Sequence, residues 1–497
     1  MRQRTVDFNS VLKGLNLLVA CGTLLVSREL DANPYVNSGT IVLATLLCLQ
    51  THVALTLERR RRDPFILLLA FSMIFYYSLR IITLTLYPFS AVFERFPYSP
   101  ADSNYALFFI FVANVFLYSG FYLVRSETDL TVRLDGWKAT SPARVVALLI
   151  AAIAFGYLSE GFWTEETIPR ALDFLAIFFT PEIIVLLVLA YLLVYRRSLG
   201  RGFALTVAIL LAVEMTMHTL VGSRSAVVGF IYSCLFVGLA LRGSVAVKRK
   251  TLVLGVLLLP ILVAVLVASF AISTFNRVTK ESGSVLNLRS GFELASQLDQ
   301  QPIDLSLDLV LPPIFARAGF FDFSAEVIAH RAQYQSVINP AAYAKSIIDN
   351  VLTPGFDVFD YPKIGNALQF VYLGWGTPQK TQVTLYYQSD QLGVYGEFYG
   401  LFGWVSLPLL FVLAVIFKRV YVGLQSSNPY RLVAKRAVML FIFKKLVDSF
   451  GIDWIILDTL PLVSAIVLYS WFFSAKRIAA PPRNSPSGGE LPGYATL

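Results

Sequence analysis

Apolar runs of roughly 20 residues recur along nearly the whole chain, and one long polar interruption, 273–390, divides them. The stretches 171–195, 252–272 and 394–417 carry little charge and are long enough to cross a hydrocarbon core as helices. The pattern predicts twelve spans, near 11–27, 38–57, 64–87, 104–124, 144–158, 171–195, 202–220, 226–241, 252–272, 394–417, 431–448 and 455–474. The predicted fold class is therefore an all-α polytopic membrane protein. It is organised as an N-terminal bundle (1–272), a large, partly helical external loop (273–393), C-terminal membrane helices (394–478) and a Pro- and Gly-rich disordered tail (479–497).

Composition agrees with the run lengths. Of 497 residues 56% are hydrophobic and 15% charged, with a mean hydropathy of +0.65. The net charge of +9 does not point to nucleic acid, because the basic residues flank the spans. Alternate connections carry 26 of the 41 Lys and Arg residues, Arg59 to Arg62 among them, whereas the short connections between hold Arg28, Arg95, Arg170 and Arg224. The positive-inside rule then places both termini in the cytoplasm and the long loop outside. No cleavable signal is read at the N-terminus. Cys21, Cys48 and Cys234 all fall within spans, which leaves neither a disulfide framework nor a metal set, and no metal or cofactor is assigned.

Within the loop, 292–298 and 341–351 have helical character, and the many aromatics oppose disorder. Eight basic residues stand there against eleven acidic ones. Near 431–474, Lys444, Lys445, Asp448, Asp453 and Asp458 interrupt the apolar pattern. Two accounts fit: a broken helix facing a wet cavity, or a short outer turn whose lysines snorkel to water.

Ionisable residues inside spans are the first functional candidates. Arg80 lies in the third span; Glu214 and His218 share a face of the seventh, and an Arg80–Glu214 pair holding the bundle is one expectation. At the next junction Arg224 stands between Ser223 and Ser225. A guanidinium fork beside hydroxyls and helix-terminal amides suits a phosphate or diphosphate, although an interfacial Arg also snorkels to headgroups. His330, in the long loop, is a candidate base. There is no Walker-type loop or dinucleotide fingerprint, and the inner connections are short, which argues against nucleotide chemistry at the inner face.

Gly222-Ser223-Arg224-Ser225-Ala226 at a span junction, Leu352-Thr353-Pro354 and Asp360-Tyr361-Pro362-Lys363 in the loop, and Gly396-Glu397-Phe398-Tyr399 before Phe402-Gly403-Trp404 together resemble the Wzy-type O-antigen and exopolysaccharide polymerases. The resemblance implies a GT-C-like glycosyltransferase of the bacterial inner membrane, with polyprenyl-diphosphate-linked glycans as donor and acceptor. The bilayer and a chain-length regulator protein are the other partners it suggests. It further implies a diphosphate clamp drawn from Arg224, Arg317, Arg289, Arg277 and Arg80, helped by Ser223, Ser225, Lys363 and Tyr399. The base would be Glu397, Asp322 or His330, with capping of the helix N-terminus as the other use of Glu397. Two rival readings remain: a lipid-linked oligosaccharide flippase, and a glycosyltransferase using a monophosphate-linked sugar with Glu29 and Asp31 as its acidic pair.

Overall fold

The computed structural model describes residues 5–30, 33–58, 63–88, 98–124, 132, 137–161, 181–196, 198–220, 225–242, 246–248, 320–352, 358–373, 376–379, 392–448, 452–473 and 475–477. The expected span at 252–272, the helical stretch 292–298 and the tail 479–497 lie outside them. Among the described residues five helical stretches are long and apolar enough to cross a membrane: Phe8–Val26, Ser38–Glu58, Pro64–Leu86, Pro100–Leu123 and Gly393–Gly423. The protein is thus a helical membrane protein. Its described strands are four three-residue segments that hydropathy does not predict.

The first four long helices are α1 (Phe8–Val26), α2 (Ser38–Glu58), α3 (Pro64–Leu86) and α4 (Pro100–Leu123). Then come α5 (Pro142–Gly161), α6 (Pro181–Tyr195), α7 (Arg201–Leu220) and α8 (Ser225–Arg242). The loop contributes α9 (Phe320–Ala329), α10 (Arg331–Tyr334), α11 (Pro340–Ile347) and α12 (Ile364–Leu373). The chain ends through α13 (Gly393–Phe402), α14 (Ser406–Gly423), α15 (Pro429–Asp448) and α16 (Ile452–Leu468). The expected loop helix at 341–351 is α11 continued by a π turn, Ile348–Leu352.

Helix α3 is the hub. Its first two turns, from Pro64 to Ala70, are apolar on every side, so no face of them suits an edge position, and Phe65 to Ala70 are fully buried. Phe65 stacks on Phe121 of α4 at 5.4 Å and meets Phe443 of α15 edge-on at 4.9 Å. Asp63 starts the helix by accepting from the Phe65 amide, with Pro64 at the first helical position. Midway the helix widens into a π turn, Met73–Ser78, before Leu79–Leu86 resumes α geometry. Such turns are uncommon and often sit at functional sites. On the other side of α4, Gly120 admits α14: a Cβ there would lie 2.6 Å from the Phe411 carbonyl oxygen.

Two small antiparallel pairings close one face of the bundle. Strand β1 (Thr5–Asp7) pairs with β3 (Ala246–Lys248), and β2 (Trp137–Ala139) with β4 (Ala475–Arg477). The same face holds Asn9 donating to the Leu55 carbonyl at 2.8 Å and Lys418 donating to Asp63 at 2.5 Å. We call it the N-terminal face. At the opposite face Asn33 donates to the Leu84 carbonyl at 3.0 Å and Ser103 to the Tyr35 carbonyl at 2.7 Å. Each of these contacts joins segments that charge parity puts on a common side.

Candidate functional site

The opposite face is where the loop enters the bundle. The sequence Phe320-Phe321-Asp322-Phe323-Ser324-Ala325-Glu326-Val327-Ile328 offers apolar positions all round α9, with three polar groups among them. The helix is accordingly packed between α4 and α13 and buried from Phe320 to Phe321 and from Ala325 to Ile328. Its approach to α13 is close because Gly396 and Gly400 lie one helical turn apart. A Cβ on Gly396 would come within 3.1 Å of the Ser324 Cα, and one on Gly400 within 2.9 Å of Ile338 Cγ2. Ser324 also donates to the Leu392 carbonyl at 2.8 Å, just before α13 begins.

At the centre of this contact Arg80 and Asp322 form a two-pronged ion pair. Arg80 Nε donates to Oδ1 at 3.0 Å and Nη2 to Oδ2 at 2.7 Å, and both side chains are 0% exposed. Thr83, one turn along α3, accepts from Arg80 Nη1 at 3.2 Å. The planar guanidinium matches the carboxylate edge, the geometry that offsets desolvation best. Tyr98, at the entrance to α4, is 1% exposed beside them. Burial first, and then the Asp322 charge, push its phenol well above the ordinary range, so it stays neutral at physiological pH.

Arg80, expected in the clamp, and Asp322, expected as a base, are thereby brought together and bound to each other. The carboxylate held at Arg80 is that of Asp322, not the expected Glu214, which is itself buried in α7. Glu397 differs from expectation as well. The residue before α13 is Leu392 and the first turn of the helix contains no acidic side chain, so Glu397 sits in the second turn, fully buried, and does not cap the helix.

His330 joins α9 to α10 and is half-buried; its backbone N–H donates to the Glu326 carbonyl at 2.8 Å. Lys363 opens α12, its carbonyl accepting from the Asn366 and Ala367 amides at 2.9 Å. The segment before it is held by Asp349, which accepts from the Val358 amide at 3.0 Å and the Tyr361 amide at 2.8 Å. Tyr399 shares a 2.7 Å hydroxyl contact with Tyr105, and Trp404 Nε1 donates to the Tyr105 hydroxyl at 2.9 Å. Tyr105 and Trp404 keep part of their rings exposed. Gly403 lies between, with φ +59, a conformation that suits glycine. The expected single span from 394 is therefore two helices with a kink. Arg331 closes the first of them, donating Nε to the Gly400 carbonyl at 3.0 Å.

Ser223, Arg224, Arg277, Arg289 and Arg317 lie outside the described residues, as does Asp31. Ser225 is the first residue of α8.

A second buried polar cluster lies apart from the expected site residues and takes in two of the charges that interrupt the apolar pattern near 431–474. Lys444 pairs with Asp448 one turn on, and Asp448 accepts from Ser72 at the edge of the π turn. The ammonium lies 4.3 Å from the Tyr232 ring centroid and 4.8 Å from that of Tyr76, whose hydroxyls meet at 2.7 Å. Lys444 is therefore caged within the bundle and does not snorkel to water; the expected turn near Gly451 lies outside the described residues. The four-residue spacing of Lys444 and Asp448 is the signal that the sequence offers. Tyr76 also meets Phe320 edge-on at 4.5 Å, which connects this cluster to α9.

Comparison of the chain with protein-family models, with curated proteins and with solved structures finds no match.

Proposed function

We propose that the chain is a glycosyltransferase of the Wzy type, spanning the bacterial inner membrane twelve times with both termini cytoplasmic. In this reading it joins polyprenyl-diphosphate-linked repeat units at the periplasmic face into O-antigen or exopolysaccharide. The observation that supports this most is the seating of α9: a helix of the long loop is locked into the bundle by a fully buried ion pair to α3. A loop held this way can roof a site that span ends also build, which a substrate tethered to the membrane requires.

The roles then divide. Arg80 and Asp322 position α9 and are engaged with each other. Arg224, Arg277, Arg289 and Arg317 remain the diphosphate clamp, with Ser223, Ser225 and Lys363 as further donors. In the transfer step the acceptor hydroxyl oxygen attacks the anomeric carbon and the bond to the diphosphate oxygen breaks. The electron pair leaves with the diphosphate, where cationic groups stabilise it, and the hydroxyl proton passes to a base, Glu397 or His330. Tyr105 and Trp404, partly exposed beside Tyr399, offer ring faces for a sugar.

The test is extension of a purified lipid-diphosphate repeat unit by the purified protein. Products longer by whole repeats support the reading, and their persistence under chelation would make the reaction metal-independent. Absence of extension, together with repeat units accumulating at the inner leaflet of a deletion strain, would instead indicate a flippase.

A further inference from the structure

Beyond α9 the loop folds around a core of its own. Tyr334, Ile338, Tyr343, Tyr361 and Ile364 turn inward there, together with Val327 of α9 and Leu392 at the start of α13. Three large apolar side chains of the same region do not: Leu352, Val358 and Phe359 are 67%, 59% and 47% exposed. The backbone that carries them is held. Leu352 ends the π turn Ile348–Leu352, and Asp349 within that turn, fully buried, accepts from the amides of Val358 and Phe359, each at 3.0 Å. Asn350 adds a bond to the Tyr361 carbonyl at 3.1 Å. Residues 353–357, between the two held segments, lie outside the described residues.

Exposure of this kind is otherwise confined to helices that face lipid. Among the described residues every other exposed large apolar side chain lies in an expected span or in the stretch Gly393–Gly423. Three such side chains on one turn of a loop mark an interaction surface, and their position names the partner. Helix α11 and the π turn pack against α16, an expected span. That helix starts at the opposite face, because the end of α15 lies there beside the start of α13: a Cβ on Gly393 would stand 3.0 Å from the Val447 carbonyl oxygen, and α16 begins at Ile452. Its Leu460, Val463 and Val467 recur at helical spacing with half or more of each side chain exposed, as on a lipid-facing flank. The exposed turn is therefore carried on the flank of a membrane helix, at the face where that helix leaves the bilayer. Lys345, also exposed, holds its ammonium 5.9 Å from the Phe359 ring centroid. A lysine beside an apolar group suits a membrane surface, where the stem lies in hydrocarbon and the charge in water.

We propose that Leu352, Val358 and Phe359 insert into the lipid leaflet at the opposite face, with the Lys345 ammonium at headgroup level. The partner is the phospholipid surface itself. The loop then has two moorings, α9 in the bundle and this turn in the leaflet, which together fix its height above the membrane. The inference uses none of the residues assigned to the transfer step and holds whatever reaction the protein performs.

The test puts the photoreactive residue p-benzoylphenylalanine at position 359 and, in a second variant, at 358, in full-length protein held in phosphatidylcholine nanodiscs. Irradiation is followed by measurement of the intact mass. Both variants are expected to gain the mass of one phospholipid, as does a control carrying the probe at position 463 of α16. A control at position 335, an exposed polar site of the loop, is expected to gain none. In Leu352→Asn/Val358→Asn the lipid adduct at 359 should fall severalfold, since two of the inserted side chains no longer favour hydrocarbon. The unfolding temperature of that variant in detergent should match wild type, because both side chains are exposed in the folded protein. An adduct at 359 no greater than at 335 would mean that the turn faces water. An adduct with protein would mean that another segment of this chain, or a second copy, covers it. A yield indifferent to Leu352→Asn/Val358→Asn would mean that the probe alone seeks the lipid. Each of these three results overturns the proposal.

Discussion

Removing one partner of the Arg80–Asp322 pair should damage the protein far more than removing both. Each side chain is fully buried and the two share a pair of hydrogen bonds. Asp322→Asn leaves the guanidinium charged with no counter-ion, and Arg80→Met strands the carboxylate. Loss of one member of a buried pair costs about 3–5 kcal/mol, a factor of roughly 10² to 10³ or more in the folded population. In Arg80→Met/Asp322→Leu nothing charged is left behind and apolar volume replaces the pair, so the double variant should lie within about 1–2 kcal/mol of wild type. The coupling energy is then on the order of 3 kcal/mol or more, with the double change milder than either single one. Denaturant unfolding of the purified protein in detergent, followed by Trp fluorescence, gives the four corners of the cycle. Protease sensitivity of the loop should rise first in the single variants, because α9 is the element set loose. Single variants costing less than about 1 kcal/mol, with an additive double, would mean that the pair is screened like a surface bridge and that α9 is not locked by it.

The Lys444–Asp448 pair should behave alike: Lys444→Met alone is expected to lower stability by about 3 kcal/mol, and adding Asp448→Leu to restore most of it, read by the same unfolding curves. Gly400→Ala must push on Ile338 and should cost about 1–3 kcal/mol. By contrast Gly14→Ala in α1 meets nothing within 4 Å and should be neutral or gain up to about 1 kcal/mol. Tyr98 gives a pH test. Its folded pKa is raised, so its contribution is intact below the ordinary phenol range, about pH 10, and is lost as pH rises through the folded value. Tyr98→Phe should therefore flatten the alkaline fall in unfolding temperature above about pH 10, and an unchanged slope would exclude the assignment.

Hydropathy locates the helices well, because a chain in lipid must satisfy its backbone within each segment and apolar run length reports that directly. It cannot foresee the π turn of α3, for nothing in Met73-Ile74-Phe75-Tyr76-Tyr77-Ser78 differs in hydropathy from an ordinary turn. Nor can it identify the partner of Arg80. Asp322 is distant in sequence and stands in a polar region, whereas Glu214 stands in a span, so the nearer analogy points to Glu214. The glycines draw attention by their place in a motif, while what they do is let α13 approach α9 and Ile338. Glu397 reads as a cap if the span opens at Gly396; the helix begins three residues earlier, which moves the carboxylate into the second turn.

The β2–β4 pairing also bears on how the chain is made. Its strands are separated by roughly 340 residues, so at about 5–20 residues per second β2 waits on the order of half a minute for its partner to leave the ribosome. Until then its edge is open to any other strand. A chain cut before Ala475 would leave it so permanently. Shortened products of this gene are therefore expected to be recognised and degraded even when every long helix has inserted.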